Sequence, residues 1–128
     1  MKDRFNEWKK PQIKHGELTK WNWMVQYPEG LTLGNKVDIG AFCYLHSKHG
    51  LTIGDNVQFG SHCSIYTEST IDGKIGSVEI GDGSCIGSHS TVMPGVKIGK
   101  NVMIGAHSFV NKNIPDNSIA YGVPVKIK

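Results

Sequence analysis

The sequence predicts an all-β solenoid, in which short parallel strands coil around an apolar interior, and two observations carry this prediction. Large aliphatic residues recur every six positions, most clearly in the stretch VEIGDGSCIGSHSTVMPGVKIGKNVMIGAHSFV at residues 78–110. Glycine makes up 16 of the 128 residues, about twice its usual share of ~7%, and it commonly follows the large residue. A fixed period with glycine at a fixed place indicates a repeat architecture.

Each six-residue repeat predicts one short strand and its corner. A large apolar residue is usually followed by glycine, two polar residues and a small residue, a place that Cys43 and Cys63 occupy. Three such repeats would make one triangular coil of about 18 residues, with the large residues stacked inside and glycine where the backbone bends. The predicted interior ladder is Leu33, Ile39, Leu45, Ile53, Phe59, Ile65, Ile71, Ile80, Ile86, Val92, Ile98, Ile104 and Val110.

The period breaks twice, and each break predicts a loop that leaves one face of the solenoid. Two residues are inserted near HSKHG, at residues 46–50, and three near DGKIGSV, at residues 72–78. Loops that interrupt a solenoid commonly carry its binding face. We therefore expect function at these loops, and His46 and His49 lie on the first of them.

The N-terminal segment, residues 1–30, does not carry the period. Because a solenoid end exposes its stacked core, this segment is predicted to be an irregular cap. Trp21, Trp23 and Tyr27 cluster within it. The alternative interpretation is therefore an aromatic platform that binds an acceptor.

The regular repeats define the predicted β-helix, residues 31–113, and a tail follows at residues 114–128. Pro115 and Pro124 each lack a backbone donor, and proline favours turns or edge positions. Regular coils are therefore expected to stop near Val110.

Composition argues against several classes of protein. The formal net charge is +3, and the basic residues are scattered, with no run longer than Lys9-Lys10, so no nucleic-acid footprint is evident. No apolar stretch approaches the ~20 residues that span a bilayer, and no signal-peptide pattern opens the chain, so we expect a cytoplasmic protein. Three cysteines without CxxC spacing indicate neither a disulfide framework nor a zinc knuckle.

The repeats and the tail together resemble the hexapeptide-repeat acyltransferases, which fold as left-handed parallel β-helices. The resemblance covers residues 31–128 and is carried by LTIGDNVQFG, by the stretch at residues 78–110 and by NIPDNSIAYGVPVKIK. It is closest to sugar acetyltransferases of the galactoside and maltose type and to capsule and lipopolysaccharide acetyltransferases of polysaccharide biosynthesis. It implies an enzyme, a homotrimer with each active site between two β-helices, in which acetyl-CoA donates an acyl group to a hydroxyl or amine of a sugar or sugar nucleotide by direct attack in a ternary complex.

The resemblance also implies a role for five residues near the cofactor. The backbone N–H of Ser88 would donate to the thioester carbonyl and stabilise the oxyanion. Ala106 would pack against the pantetheine. Lys112, Lys126 and Lys128 are candidates to bind the CoA phosphates as point charges.

Three histidines, His62, His89 and His107, occupy the third place after the large residue and predict an outward ladder. Imidazole is a common metal ligand, which suggests a metal-dependent hydratase similar to the γ-carbonic anhydrases. Those proteins carry a His-x4-His pair and an Arg/Asp pair, whereas the only arginine here is Arg4, so no metal is expected. The preferred interpretation is a polar stack at a subunit interface or beside CoA. A non-catalytic trimeric scaffold is the third possible function.

The acceptor site departs from the resemblance at one loop. Sugar acetyltransferases of this type commonly read Ile-Tyr-Thr-His-x-His there, whereas this chain reads IYTESTID and has Glu68 and Thr70 at the histidine places. Three explanations stay open. Glu68 could be the general base if burial raises its pKa, His46 or His49 could serve from the preceding coil, or an amine acceptor needs no base.

Overall fold

The computed structural model describes residue 5 and residues 7–128, and it shows an all-β, left-handed parallel β-helix of about five coils, which confirms the predicted fold class. One 3₁₀ turn, Pro28–Gly30, interrupts the strands. In the described residues, no helix has the length and apolar character that a membrane crossing requires. The strands are β1 (Met24–Gln26), β2 (Leu31–Leu33), β3 (Asp38–Ile39), β4 (Tyr44–His46), β5 (Leu51–Ile53), β6 (Gln58–Phe59), β7 (Ser64–Ile65), β8 (Glu68–Ser69), β9 (Lys74–Ile75), β10 (Val78–Ile80), β11 (Cys85–Ile86), β12 (Thr91–Val92), β13 (Lys97–Ile98), β14 (Met103–Ile104), β15 (Phe109–Val110), β16 (Ile119–Tyr121) and β17 (Lys126–Ile127).

Three parallel sheets form the walls of the coil. Sheet A has the order β1-β4-β7-β12-β15, sheet B β2-β5-β10-β13, and sheet C β3-β6-β11-β14-β16, with β17 at its end. Equivalent residues stack from coil to coil: Leu45 is level with Ile65, and Ile65 with Val92. We name the corners by the sheets they join in chain direction: AB, BC and CA.

The interior is the predicted ladder of large residues, with one exception. All of them are at most 7% exposed except Ile71, which is 99% exposed. The prediction for Ile71 was wrong because the chain leaves the coil after Thr67 and forms the antiparallel hairpin β8–β9. Cys43 and Cys63 are buried at the small place, as predicted.

Glycine after the large residue has a different role from the predicted one. The residue with a positive φ is not this glycine but lies two positions after it, as His89, with φ of 61°, lies two positions after Gly87. Glycine is required because successive coils approach closely. A Cβ on Gly60 would lie 2.6 Å from the nitrogen of Ser88, and one on Gly87 would lie 2.5 Å from the nitrogen of Ala106.

The first edge of sheet A is covered by residues 14–19, which run antiparallel to β1. The N–H of Gly16 donates to the carbonyl of Val25 at 2.9 Å, and the buried Trp23 closes the end of the core. An uncovered edge would leave a row of unpaired backbone groups. This segment therefore acts as a cap; residues 1–4 and 6 of the predicted cap lie outside the described residues.

Parallel pairing continues past Val110, where the coils were expected to stop. Ile114 bridges to Ile98 in sheet B, and β16 pairs in parallel with β14 before β17 turns back antiparallel. Pro115 is tolerated because it takes the place of Gly99 in the last coil. The N–H of Gly99 donates to the carbonyl of Ile114 in the next coil, whereas within residues 7–128 no coil follows Pro115 in sheet B, so its missing N–H breaks no such bond there.

Candidate functional site

Corner AB brings three predicted site residues together. Nε2 of His49 lies 2.7 Å from Oε1 of Glu68, and Nδ1 of His46 lies 2.8 Å from Oγ1 of Thr67. The backbone N–H of His49 donates to the same threonine hydroxyl at 3.2 Å. The contact forms because β4 and β7 are neighbours in sheet A, so the loops that leave them are adjacent. Residues that the sequence offered as alternatives are therefore partners in one cluster.

The cluster borders a cleft of about 320 Å³ on the outer face of sheet A. Tyr44 donates its hydroxyl to Oε1 of Gln26 at 2.7 Å, and its ring centre is 5.5 Å from that of Tyr66. Phenol rings with a few convergent polar groups are typical of a small-ligand site. The lining is Gln26, Tyr27, Tyr44, His46, Lys48, Tyr66, Glu68, Ser69, Thr70 and Ile71.

The carboxyl group of Glu68 is ionised at neutral pH. The hydrogen bond with His49 lowers its pKa, with smaller contributions from the charge of Lys48. Burial alone would raise this pKa, as considered from the sequence, but the hydrogen bond from His49 outweighs the effect of burial and the net shift is downward. Burial does lower the pKa of His46, which favours a neutral imidazole.

One assignment of protons satisfies the whole cluster. The hydroxyl of Thr67 accepts from the backbone of His49 and donates to Nδ1 of His46, which leaves a proton on Nε2 of His46. Nε2 of His49 donates to Glu68. Since Glu68 lines the cleft and His49 does not, the carboxylate is the group that a ligand N–H or O–H would meet.

Ser88 and Ala106, which were predicted to contact the cofactor, lie in consecutive coils at corner CA. The N–H of His107 donates to the carbonyl of Ser88 at 2.9 Å. At corner BC, by contrast, the equivalent N–H of Asp55 is bound by Oδ1 of Asp82. Within the described part of the chain, no acceptor binds the N–H of Ser88, so it is available to a ligand.

The three predicted phosphate-binding lysines are exposed but do not share one place. Lys126 lies opposite Tyr121, which lies below Gly105 at corner CA. Lys128 directly follows this strand, β17. Lys112 follows β15 at corner AB, which is at the opposite end of the strands of sheet A from corner CA.

Within one chain, the two groups of predicted site residues lie apart from each other. Glu68 and His49 follow strands of sheet A, whereas Ser88 precedes β12 of the same sheet. The first group therefore lies at the carboxyl ends of the strands of sheet A, and Ser88 lies at their amino ends. No single chain brings Ser88 to Glu68.

The predicted histidine ladder is present and exposed. The ring centres of His62 and His89 are 4.6 Å apart, and those of His89 and His107 are 4.9 Å apart, with the planes within 5° of parallel. Phe42 extends the column at 5.3 Å from His62. Two nitrogens bound to one zinc ion can be about 4.2 Å apart at most.

Sequence reasoning missed Thr67, Tyr44 and Tyr66. The signal was present, because residues on either side of an inward large residue point outward from a strand. Tyr44 and Tyr66 flank the inward Leu45 and Ile65 in neighbouring coils. Bulky polar side chains at outward places of one sheet therefore marked the cleft.

Residues 75–112 match the family described as "Bacterial transferase hexapeptide (six repeats)". Over 43 residues the chain is 54% identical to a galactoside O-acetyltransferase from Lactococcus lactis, a match that covers 34% of this chain and 21% of the relative. The matched part of the chain thus covers about a fifth of the length of that curated relative.

Two solved structures extend the similarity to most of the fold. A maltose O-acetyltransferase from Clostridium difficile is 32% identical with a TM-score of 0.75, over 81% of this chain and 60% of the other. AntD, an N-acyltransferase from Bacillus cereus in complex with dTDP and 3-hydroxybutyryl-CoA, is 25% identical with a TM-score of 0.69, over 87% of this chain and 77% of the other. These matches confirm the resemblance that the repeats indicated.

Proposed function

Because the chain carries the hexapeptide repeat of the bacterial transferases, we propose that it transfers an acyl group, in the simplest case acetyl, from acetyl-CoA to a hydroxyl or amine of a sugar or sugar nucleotide. The observation that carries the proposal is the hydrogen bond of 2.7 Å between His49 and Glu68 at a cleft of ligand size. The names of similar proteins, galactoside and maltose O-acetyltransferases and an N-acyltransferase, support the same reaction class.

Glu68 activates the acceptor in this proposal. Its carboxylate accepts the N–H or O–H of the acceptor and takes the proton as the nucleophile attacks the thioester carbon. The C–S bond then breaks, and CoA leaves as a thiolate that takes up a proton to give the free thiol. His49 fixes the carboxylate through Nε2–H. The Nε2–H of His46 donates to another polar atom of the acceptor and orients it.

The cofactor binds along corner CA. The N–H of Ser88 donates to the thioester oxygen, where negative charge develops in the transition state. Ala106 contacts the pantetheine, and Lys126 and Lys128 attract the phosphates. Lys112 lies at corner AB and would contribute from that corner.

The reaction requires two copies of the chain, because one copy holds Ser88 and Glu68 at opposite ends of sheet A. We propose a homotrimer in which corner CA of one subunit faces corner AB of the next. Three identical contacts of this kind would close a ring with three equal sites. Sedimentation that gives a monomer at micromolar concentration would contradict this assembly.

The test of function is release of CoA thiol from acetyl-CoA with a panel of amino sugars, simple glycosides and sugar nucleotides. We expect at least one class to accelerate thiol release well above hydrolysis and to yield an acylated product by mass spectrometry. A protein that binds no CoA and acylates no member of the panel would overturn the proposal.

A further inference from the structure

A second cavity, of about 570 Å³, lies in the N-terminal cap, and we call it the cap groove. Its volume is within the ~300–1,000 Å³ that is usual for small-molecule sites. The reaction proposed above uses none of its side chains. The groove is lined by Lys9, Lys10, Pro11, Gln12, Lys14, Glu17, Leu18, Thr19, Lys20 and Trp21.

The cap groove is strongly basic. Four lysines line it together with one acidic residue, Glu17. The whole chain has 14 basic and 11 acidic residues, so the ten basic residues elsewhere are matched by ten acidic ones, and the groove accounts for the formal excess of positive charge. Among the described residues, no ion pair engages the ammonium groups of Lys9, Lys10 or Lys14. Lysine is a common point-charge partner of phosphate, so the groove suits a ligand with several negative charges.

The groove also offers an exposed aromatic ring. Trp21 is 48% exposed and Leu18 is 54% exposed beside it. The backbone N–H of Trp21 donates to Oγ1 of Thr19 at 3.3 Å, within a turn that closes when the N–H of Thr19 bonds to the carbonyl of Trp23. Trp23 is buried in the core, so this turn anchors Trp21 facing outward. A nucleic-acid base stacks well on a fixed aromatic ring.

A short path joins the cap groove to the cleft at corner AB. Lys14 lines the groove, and the next residue, His15, accepts the N–H of Tyr27 at its Nδ1 at 2.9 Å. The ring of Tyr27 lies between those of His15 and His46, at 4.8 Å and 5.5 Å. Tyr27 in turn lines the cleft. A ligand that reached from the groove to Glu68 would have to pass Tyr27.

We propose that the cap groove binds the nucleoside diphosphate of a nucleotide-activated sugar, so that the sugar lies in the cleft. The ammonium group of Lys20 lies over one face of the Trp21 ring, 4.7 Å from its centre, so the base stacks on the other face. The diphosphate binds Lys14 and Lys20, and the attached sugar passes Tyr27 to reach Glu68. A free sugar offers nothing to a basic groove, whereas a nucleoside diphosphate supplies both the planar base and the paired charges. This inference rests on the proposed acyl transfer and specifies its acceptor.

The direct test is equilibrium binding of uridine diphosphate and thymidine diphosphate to the full chain, without acyl-CoA. The double variant Lys14→Glu, Lys20→Glu is expected to weaken binding at least ~10-fold, because it reverses two charges beside the phosphates. Trp21→Ala is expected to weaken it about 10-fold by removing the stacked base. Lys100→Glu, which makes the same Lys→Glu change once on a remote exposed lysine, should leave the dissociation constant within about 2-fold. Thermal melting checks that each variant is folded.

Binding of the separate parts of the ligand distinguishes the contribution of the lysines from that of Trp21. Inorganic pyrophosphate should lose affinity in the lysine variant and keep it in Trp21→Ala, and uridine should show the opposite order. If neither nucleoside diphosphate binds, or if the groove variants bind as tightly as Lys100→Glu, the inference is wrong. CoA also carries a phosphorylated nucleoside, so competition is measured as well. Displacement of uridine diphosphate by CoA, with CoA binding weakened by Trp21→Ala, would assign the groove to the cofactor and overturn the inference.

The outcomes also separate this inference from the proposed function. Acyl transfer to simple glycosides by a protein whose groove binds no nucleotide would overturn the inference and leave the proposed function intact. Nucleotide binding that depends on the groove, in a protein that acylates no acceptor, would overturn the proposed function and leave the binding site. Transfer to a nucleotide-linked sugar that the groove variants slow through KM rather than kcat supports both.

Discussion

Residues 78–110 and residues 44–77 surround the same interior but differ in what they present outside. In the first region the repeats are uninterrupted, and the corners bear glycine, mostly small or polar side chains and the stacked rings of His89 and His107. In the second region two inserted loops place His46, His49 and Glu68 beside one another. The uninterrupted coil therefore supplies a regular frame with stacked histidine rings, whereas the departures from the period bring titratable side chains into one hydrogen-bonded cluster. Changes in the two regions should therefore affect different properties.

The largest contrast is expected between two isoleucines that sequence spacing assigns to the same interior ladder. Ile86→Ala removes a buried side chain and should lower the free energy of unfolding by about 3 kcal/mol, through lost burial and the cavity left behind. Ile71→Ala, the same change on a fully exposed side chain, should lower it by less than about 0.5 kcal/mol. Chemical denaturation measures both. Equal losses would mean that the hairpin is not outside the core.

The next largest effect is expected on the rate of transfer rather than on the stability of the fold. Glu68→Gln keeps the shape of the side chain but removes the proton acceptor, so the transfer rate should fall about 100-fold or more with CoA affinity unchanged. Asp72→Asn makes the same chemical change in the same hairpin, away from the His49 contact, and serves as the control. A rate loss below about 10-fold in Glu68→Gln would remove Glu68 from the role of base. His46 or His49 as the base, or an amine acceptor that needs no base, would then remain as explanations.

A smaller effect separates the two members of the pair by their pH dependence. The hydrogen bond from His49 lowers the pKa of Glu68, so the carboxylate stays ionised, and active, at pH values below its ordinary range. His49→Ala removes that hydrogen bond, and the pKa of Glu68 should rise toward its ordinary value. The acid limb of the profile of kcat/KM against pH should therefore move to higher pH. A limb that moves to lower pH, or does not move, would contradict the assigned direction of the hydrogen bond.

The smallest effect is expected at corner CA. Ser88→Ala removes the hydroxyl but keeps the backbone N–H, which is the group assigned to the thioester oxygen. The rate should therefore stay within about 3-fold of the wild type, since a lost oxyanion donor costs far more, about 100-fold or above. Initial rates at saturating acetyl-CoA check this. A loss as large as that of Glu68→Gln would show that the hydroxyl itself takes part.

The amino-acid sequence determined the coil, its interior and the position of its irregularities. Local spacing suffices for this, because each large residue stacks on its equivalent one coil away and the same six-residue geometry repeats. It also singled out His46 and His49, since breaks in the period are visible in the sequence, and the resemblance to sugar acetyltransferases singled out Glu68. It assigned Ile71 to the interior because spacing alone does not show where a hairpin leaves the coil.

Only the tertiary structure decided how those residues act together. Glu68 is 19 residues after His49, and their contact at 2.7 Å exists because β4 and β7 are neighbours in sheet A. The same contact lowers the pKa of Glu68, opposite to the expectation from burial, since a pKa depends on the partner and the exposure of the group rather than on its residue type. The separation of Ser88 from Glu68 is likewise a property of the coil. Pairing across coils and charge environment are long-range quantities, and the six-residue period encodes neither of them.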